Sequence, residues 1–375
     1  MSRRILAKNE LSVQEDKMNA KTSTCKFRSV GCLVAICLSL CGGIAAAVDE
    51  PETDKDDQHS TAEDFLRLGV RPIAIGHHGV GPNSGANPDP AMPIENTVDS
   101  VRQAYSLGAR VVEVDVQLTR DGQLAVFHDD FLSDFTCIHA LTLDQLQQRL
   151  PYVPELRQVI NVAREFNNRA GDDLGGILII ELKAFSPHCD PDDELEQAVV
   201  AAAVSEVRKA KMSDRVIFDS FSPALLYLAA QKGPEIPREL DISGLQLLTP
   251  AQIAAITGLQ VTIINKKNSL GLTWAEIGPV FRLPGYASAQ QFLATGMATS
   301  VRVVGGEMDF FGPAEQQQPG SGAAFVGAAH SLGLRVFADP AVIEADWNFF
   351  SSLGVDAIYS TIPLGVRLQP AIPDL

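Results

Sequence analysis

From Arg71 onward, short runs of β-branched and apolar residues alternate with stretches patterned as helices, and few folds accept a chain written that way. The strand-like runs fall near 73–76, 111–116, 124–127, 177–181, 215–218, 243–248, 301–304, 334–337 and 356–359, with helical stretches such as "TVDSVRQAYSLG" and "AAFVGAAHSLG" between them. Such alternation implies parallel strands joined by helices and buried on both faces. The "LTRDGQL" turn is too short for a crossover, so 124–127 is expected to be a hairpin arm, which leaves eight parallel strands. The predicted fold is α/β, a (β/α)₈ TIM barrel, with a doubly wound open sheet as the alternative. Residues 249–300 hold more sequence than one crossover helix uses, so an insertion or lid is expected between the late strands. The stretch "FFGPAEQQQPGSG" reads as a flexible loop by composition.

The 46% hydrophobic content over 375 residues is ample for a buried core. Residues 26–47, "KFRSVGCLVAICLSLCGGIAAA", have a basic front, an apolar middle and a small-residue exit, the pattern of a secretory signal with cleavage expected after Ala47. The apolar run is interrupted by glycines and is shorter than the roughly 20 residues that a spanning helix needs, so no stable membrane span is expected after cleavage. Met18 gives a more ordinary start for such a signal, which would place residues 1–17 outside the translated chain. Residues 48–70 read as an acidic, solvated tether, and 71–375 as the barrel domain. Without residues 1–47 the chain keeps 23 Lys and Arg against 43 Asp and Glu, a balance near −20 that repels nucleic acid and anionic lipid. Only Cys137 and Cys189 remain, and the expectation for an exported protein is open between one disulfide and two buried thiols.

In a parallel barrel the C-terminal strand ends form the working face. His77 and His78 end the first strand in "IAIGHHGVG", Glu113 and Asp115 sit in "VVEVDVQL", His128 ends "LAVFH", and Glu181 and Lys183 sit in "LIIELKAF". Residues two apart on a strand share a face, so Glu113 with Asp115, and Glu181 with Lys183, can aim at one point. By the same rule, adjacent His77 and His78 should not share a pocket. Three carboxylates converging in an apolar barrel repel unless a cation neutralises them, and an all-oxygen set suits Mg²⁺ or Ca²⁺. Taken singly, each pattern is weak: "EVDV" also describes a strand with charges in solvent, and a strand-end histidine is often structural. Their joint occurrence is the signal.

These residues resemble the glycerophosphodiester phosphodiesterase family of phosphatidylinositol-phospholipase-C-like barrels. The resemblance is carried by "GHHG" at 76–79, "IENT" at 94–97, "LGARVVEVDVQLTRDGQLAVFHDD" at 107–130, "VPELRQVI" at 153–160, "IIELK" at 179–183 and "DSFSP" at 219–223. It implies that His77 and His128 form the acid/base pair, that Glu113, Asp115 and Glu181 hold one divalent cation with Glu95 beside it, and that Lys183 reaches the substrate phosphate. It also implies a small phosphodiester substrate, cut to glycerol phosphate and an alcohol.

The chain departs from the family pattern at five places. Where the family has Arg after the first histidine there is His78, which cannot make a bidentate fork on phosphate. "IENT" lacks the usual proline, the segment "GVGPNSGANPDPAMP" is long, and "FADPA" and "STIP" replace late motifs on the glycerol side. Two other readings stay open at this level: a phospholipase-like or lyase member acting on another phosphodiester, and an inactive barrel that binds.

Overall fold

The computed structural model describes residues 61–84, 88–167, 175–192, 194–264, 274–278 and 281–371. The expected signal and residues 48–60 of the tether lie outside this set. Among the described residues twelve strands run in chain order: β1 Ile73–Gly76, β2 Val111–Leu118, β3 Leu124–Val126, β4 Ile177–Leu182, β5 Val216–Ser220, β6 Arg238–Leu240, β7 Val261–Ile264, β8 Trp274–Ile277, β9 Phe281–Pro284, β10 Val303–Glu307, β11 Arg335–Ala341 and β12 Ala357–Ser360. Strands β1, β2, β4, β5, β6, β10, β11 and β12 pair in parallel, and β1 pairs with both β12 and β2, so the sheet closes on itself as a barrel. The hairpin arm β3 pairs antiparallel with β2, Val116 opposite Val126, as the short "LTRDGQL" turn requires.

Alternation along the strands assigns the two faces. Val112, Val114, Leu178, Ile180, Val216, Phe218, Val304, Val336 and Ile358 pack outward in one apolar cluster with the helices, including Val101 and Ala104 of Val98–Ser106 and Val199, Ala203 and Val207 of Glu196–Lys209. The alternate residues Ile73, Ile75, Val111, Ile177, Ile179, Ile217, Val303, Phe337 and Tyr359 form a second cluster that fills the barrel interior. Each fully buried aliphatic or aromatic side chain in these layers contributes roughly 1.5–3 kcal/mol.

The tether expected over 48–70 ends sooner than the composition implied. Ala62–Arg67 is a helix capped by Thr61, whose hydroxyl accepts from Asp64 N–H while the Asp64 carboxylate accepts from Thr61 N–H. Its Ala62, Phe65 and Leu66, followed by Leu68, join the interior cluster, so the N-terminal end of the barrel is sealed by this helix. Acidic neighbours hide an apolar face that falls at helical spacing.

Two further expectations are corrected. The fifth barrel strand, β6, is Arg238–Leu240, and 244–247, within the run expected as a strand at 243–248, is a 3₁₀ turn. "REL" reads as polar, but Glu239 is buried and the Arg238 guanidinium donates from Nη1 and Nη2 to the carbonyls of Ile236 and Ser300. "FFGPAEQQQPGSG" is no loop: Met308–Gln317 is helical with Pro313 inside it, anchored by buried Phe310 and Phe311, and a second helix follows at Ser321–Ser331. The expected insertion is present between β6 and β10, as the helix Pro250–Thr257, the antiparallel sheet β7–β8–β9 and the helix Ala289–Ala298. Cys137 and Cys189 are joined as a disulfide, which ties the segment after β3 to the segment after β4 at the mouth of the barrel.

Candidate active site

At the C-terminal ends of the strands the interior changes from aliphatic to acidic. Asp115, Glu181, Asp219 and Glu239 are register partners across β2, β4, β5 and β6, so four adjacent strands each present one carboxylate at the same level. Glu113 lies one inward position below Asp115, while Asp241, Glu307 and Asp339 continue the acidic lining toward β10 and β11.

On the β2–β4 side, carboxylate oxygens of Glu113, Asp115 and Glu181 lie within 4.8 Å of one another, and all three residues are buried. Lys183 Nζ sits 2.9 Å from Asp115 Oδ1 and 2.7 Å from Glu181 Oε2. Burial alone would strip the Lys183 proton, but Asp115 and Glu181 hold its pKa well above the ordinary lysine value. Burial would also raise Asp115, yet Lys183, His78 and His128 keep its pKa well below the usual carboxylate range. Glu113, further from that ammonium, is driven well above it by burial and by its two acidic neighbours, and Glu181 is raised by burial too. Glu113 uses Oε2 to accept from His78 N–H at 2.9 Å, and its Oε1 is buried with no hydrogen-bond partner. A free buried oxygen beside two further carboxylates fits a hard divalent cation.

The histidine pair breaks the alternation rule. His77 continues β1, but His78 adopts a left-handed backbone with φ 51°, and Gly79 follows at φ 94°. That reversal carries the His78 side chain back over the pocket, with Nε2 3.2 Å from Asp115 Oδ2 and its ring 4.0 Å from that of His77. The expectation that only one of the two faces the site therefore fails, because β1 has ended at Gly76 and His78 is left-handed. Glycine is required at 79, since a Cβ there would lie 2.3 Å from Ser100 Oγ. Ser100 Oγ in turn donates to the His78 carbonyl at 3.1 Å, which also accepts from Asn96 N–H at 2.9 Å.

His128 stands half-exposed at the rim, its Nδ1 2.7 Å from Asp129 Oδ1 and its ring 5.4 Å from that of His78. Lys183 and burial push its pKa down, but Asp115, Asp129 and Glu181 outweigh them and leave it raised. His77 is the opposite case: burial, then the neighbouring His78, lower it well below the usual imidazole value. Its Nδ1 lies 3.4 Å from Asp339 Oδ1. Glu95 is placed against His78, 3.6 Å from Nδ1, and accepts from Asn83 N–H at 2.7 Å. Thus all eight residues singled out in the sequence, His77, His78, Glu95, Glu113, Asp115, His128, Glu181 and Lys183, come to one end of the barrel.

Residues that the sequence reading gave no role complete the site. Asn96, left-handed at φ 55°, donates from Nδ2 to Asp115 Oδ2 at 2.7 Å and accepts Asp115 N–H on Oδ1 at 3.0 Å, clamping that carboxylate. Asp219, Glu239 and Asp241 form a second group with oxygens within 4.8 Å of one another. Burial, with their acidic neighbours, pushes Asp219 and Glu239 well above the carboxylate range, Asp241 to about 7 and Glu307 to about 9. Tyr359 donates its phenol to Glu239 Oε2 at 2.7 Å. The signal for Asp219 was available, as an acid closing the apolar run "VIFD" just as Glu181 closes "LIIE".

The sequence pattern of the Glycerophosphoryl diester phosphodiesterase family matches residues 82–361. A glycerophosphocholine phosphodiesterase of Eremothecium gossypii is 39% identical over 98 residues, which is 25% of this chain and 7% of that protein. The chain thus spans a small part of the length of that curated relative. Among solved structures, an Oleispira antarctica phosphodiesterase in complex with the product sn-glycerol-3-phosphate aligns with TM-score 0.52 and 22% identity over 79% of this chain and 95% of that one. A glycerophosphodiester phosphodiesterase from Parabacteroides distasonis aligns with TM-score 0.53 and 18% identity over 80% and 99%. At these identities the structural likeness establishes the barrel fold.

Proposed function

We propose that this chain, which belongs to the glycerophosphoryl diester phosphodiesterase family, hydrolyses small glycerophosphodiesters to glycerol phosphate and an alcohol. The observation that carries the reading is the gathering of Glu113, Asp115, Glu181 and Lys183 at one end of the barrel with imidazoles of His77, His78 and His128 around them.

Hydrolysing a phosphodiester requires a base for the incoming oxygen, an acid for the departing alkoxide and positive charge on the non-bridging oxygens. His77, kept neutral by burial, is suited to accept the first proton, and Asp339 Oδ1 lies 3.4 Å from its Nδ1. His128, at the rim with Asp129 on its Nδ1, is suited to give a proton to the leaving group from its other nitrogen. Lys183 remains an ammonium and offers charge to the phosphate. His78 stands where the family pattern has arginine and offers one ring N–H rather than a fork, so it would grip phosphate less firmly than arginine. Glu113, Asp115 and Glu181 would hold one divalent cation, Mg²⁺ or Ca²⁺, with Glu95 close by, and Asn96 orients Asp115 for that purpose. Such an ion, when bound, supplies Lewis-acid polarisation of the phosphoryl oxygens.

The reading extends to location. A disulfide between Cys137 and Cys189 suits an oxidising compartment, and it agrees with the signal pattern ending at Ala47, so the mature protein is expected outside the cytoplasm. The acidic balance argues against nucleic acid as a partner. The test is direct: purified protein given glycerophosphocholine should release glycerol phosphate, and chelator should abolish the release. Turnover unaffected by chelator would sink the metal assignment. Failure to cleave any phosphodiester would favour a binding barrel.

A further inference from the structure

The acidic lining continues past the residues that the proposed chemistry uses. Asp219, Glu239 and Asp241 are fully or almost fully buried, and each keeps one oxygen with no hydrogen-bond partner: Asp219 Oδ1, Glu239 Oε1 and Asp241 Oδ1. These residues bring carboxylate oxygens within 4.8 Å of one another. Gly305 on the neighbouring strand β10 lets two of these carboxylates lie against its backbone, since a Cβ there would stand 1.7 Å from Asp241 Oδ1 and 2.9 Å from Glu239 Oε1.

Charge balance points the same way. The nearby ammonium of Lys183 is committed to Asp115 and Glu181, and among the described residues no Lys, Arg or His forms an ion pair with Asp219, Glu239 or Asp241. Tyr359 serves only the outer oxygen of Glu239. One divalent ion together with Lys183 offsets Glu113, Asp115 and Glu181, and nothing then remains for the other three carboxylates. Buried carboxylates without donors are costly unless protonated or bound to a cation.

We propose that Asp219, Glu239 and Asp241 form a second divalent-cation site, separate from the Glu113, Asp115 and Glu181 group and next to it across Glu181, whose register partner on β5 is Asp219. Its all-oxygen donors select a hard ion such as Mg²⁺, Mn²⁺ or Ca²⁺. The inference does not depend on the catalytic roles given above, because it concerns binding alone.

Mn²⁺ is the probe. Chelator-stripped full-length protein titrated with Mn²⁺ by calorimetry and equilibrium dialysis should bind two ions per chain. The double variant Asp219→Asn/Asp241→Asn should bind one, and Glu113→Gln should also keep one. Thermal melting in chelator shows whether the double variant folds, and Glu113→Gln carries the test if it does not. Two ions retained by the double variant, or none retained by Glu113→Gln, would overturn the second site. One ion in the wild type that survives Glu113→Gln and is lost with Asp219→Asn/Asp241→Asn would support it while overturning the assignment of Glu113.

Discussion

The two sides of the barrel mouth carry similar numbers of buried carboxylates, but only the first holds one of them below the ordinary carboxylate range. On the β2–β4 side, Asp115 is held by Lys183, His78 and the amide of Asn96, and its pKa falls far below the ordinary range. On the β5–β6 side, Asp219, Glu239 and Asp241 face one another with a single phenol as donor, and their pKa values rise. Carboxylates at matching depth in one barrel thus differ by what stands beside them. The lesson is that burial pushes every one of these carboxylates up, and only the combined cations and donors around Asp115 reverse it, since Glu181 stays raised although Lys183 is 2.7 Å away.

Removing the chemistry from the first side should give the largest effect. His77→Ala and His128→Ala are each expected to lower turnover by about 10²–10⁴-fold, the usual worth of a positioned acid or base, with the melting temperature little changed. Steady-state kinetics with glycerophosphocholine and a thermal melt decide this. Lys183→Met comes next. It leaves Asp115 and Glu181 buried without their ammonium, so the chelated protein should lose roughly 3–5 kcal/mol in urea unfolding. An unaltered urea midpoint would mean that the two sides are balanced by something other than this lysine.

The second side should respond with the opposite sign. Folding raises the Asp241 pKa from 3.8 to about 7, so the folded protein binds that proton more tightly than the unfolded chain. The stabilisation it brings is present in full below about pH 4 and is lost as pH climbs through 7. In chelator, Asp241→Asn should therefore become more stable than wild type above that range, by an amount on the order of 1–3 kcal/mol. Denaturant titrations at pH 5 and pH 8 measure it, and a gap that does not widen with pH would count against the described environment. Tyr359→Phe is the smallest change. It takes away the donor to Glu239 and should cost about 0.5–1.5 kcal/mol in metal-free protein.

What could be read from the sequence follows the same division. The barrel was legible because most of its strands are apolar runs separated by helical stretches, and the first side of the mouth because Glu113 with Asp115, and Glu181 with Lys183, sit two apart at such runs. The second side was not, because Glu239 and Asp241, although two apart like Glu113 and Asp115, follow no apolar run, and Asp219 and Glu307 stand on other strands; only Asp219 closes such a run. Strand β6 escaped for a related reason: a three-residue strand bearing two charges shows no hydrophobic period, although its glutamate is buried. His78 was misjudged because the period-two rule holds only while a strand lasts, and a left-handed residue ends it. The insertion was anticipated from length alone, which carries no information about its antiparallel sheet.

The helix Ala62–Arg67 has a practical corollary for the shortest stable form of this protein. Cutting the chain at Arg71, just before β1, would lift a lid from a ring of Ile73, Val111, Ile177 and Val303 and present that greasy disc to water. Such a truncated barrel would keep every side chain proposed for chemistry and still be drawn to pair end to end with its own copies, so that solubility, rather than turnover, would be the first property lost.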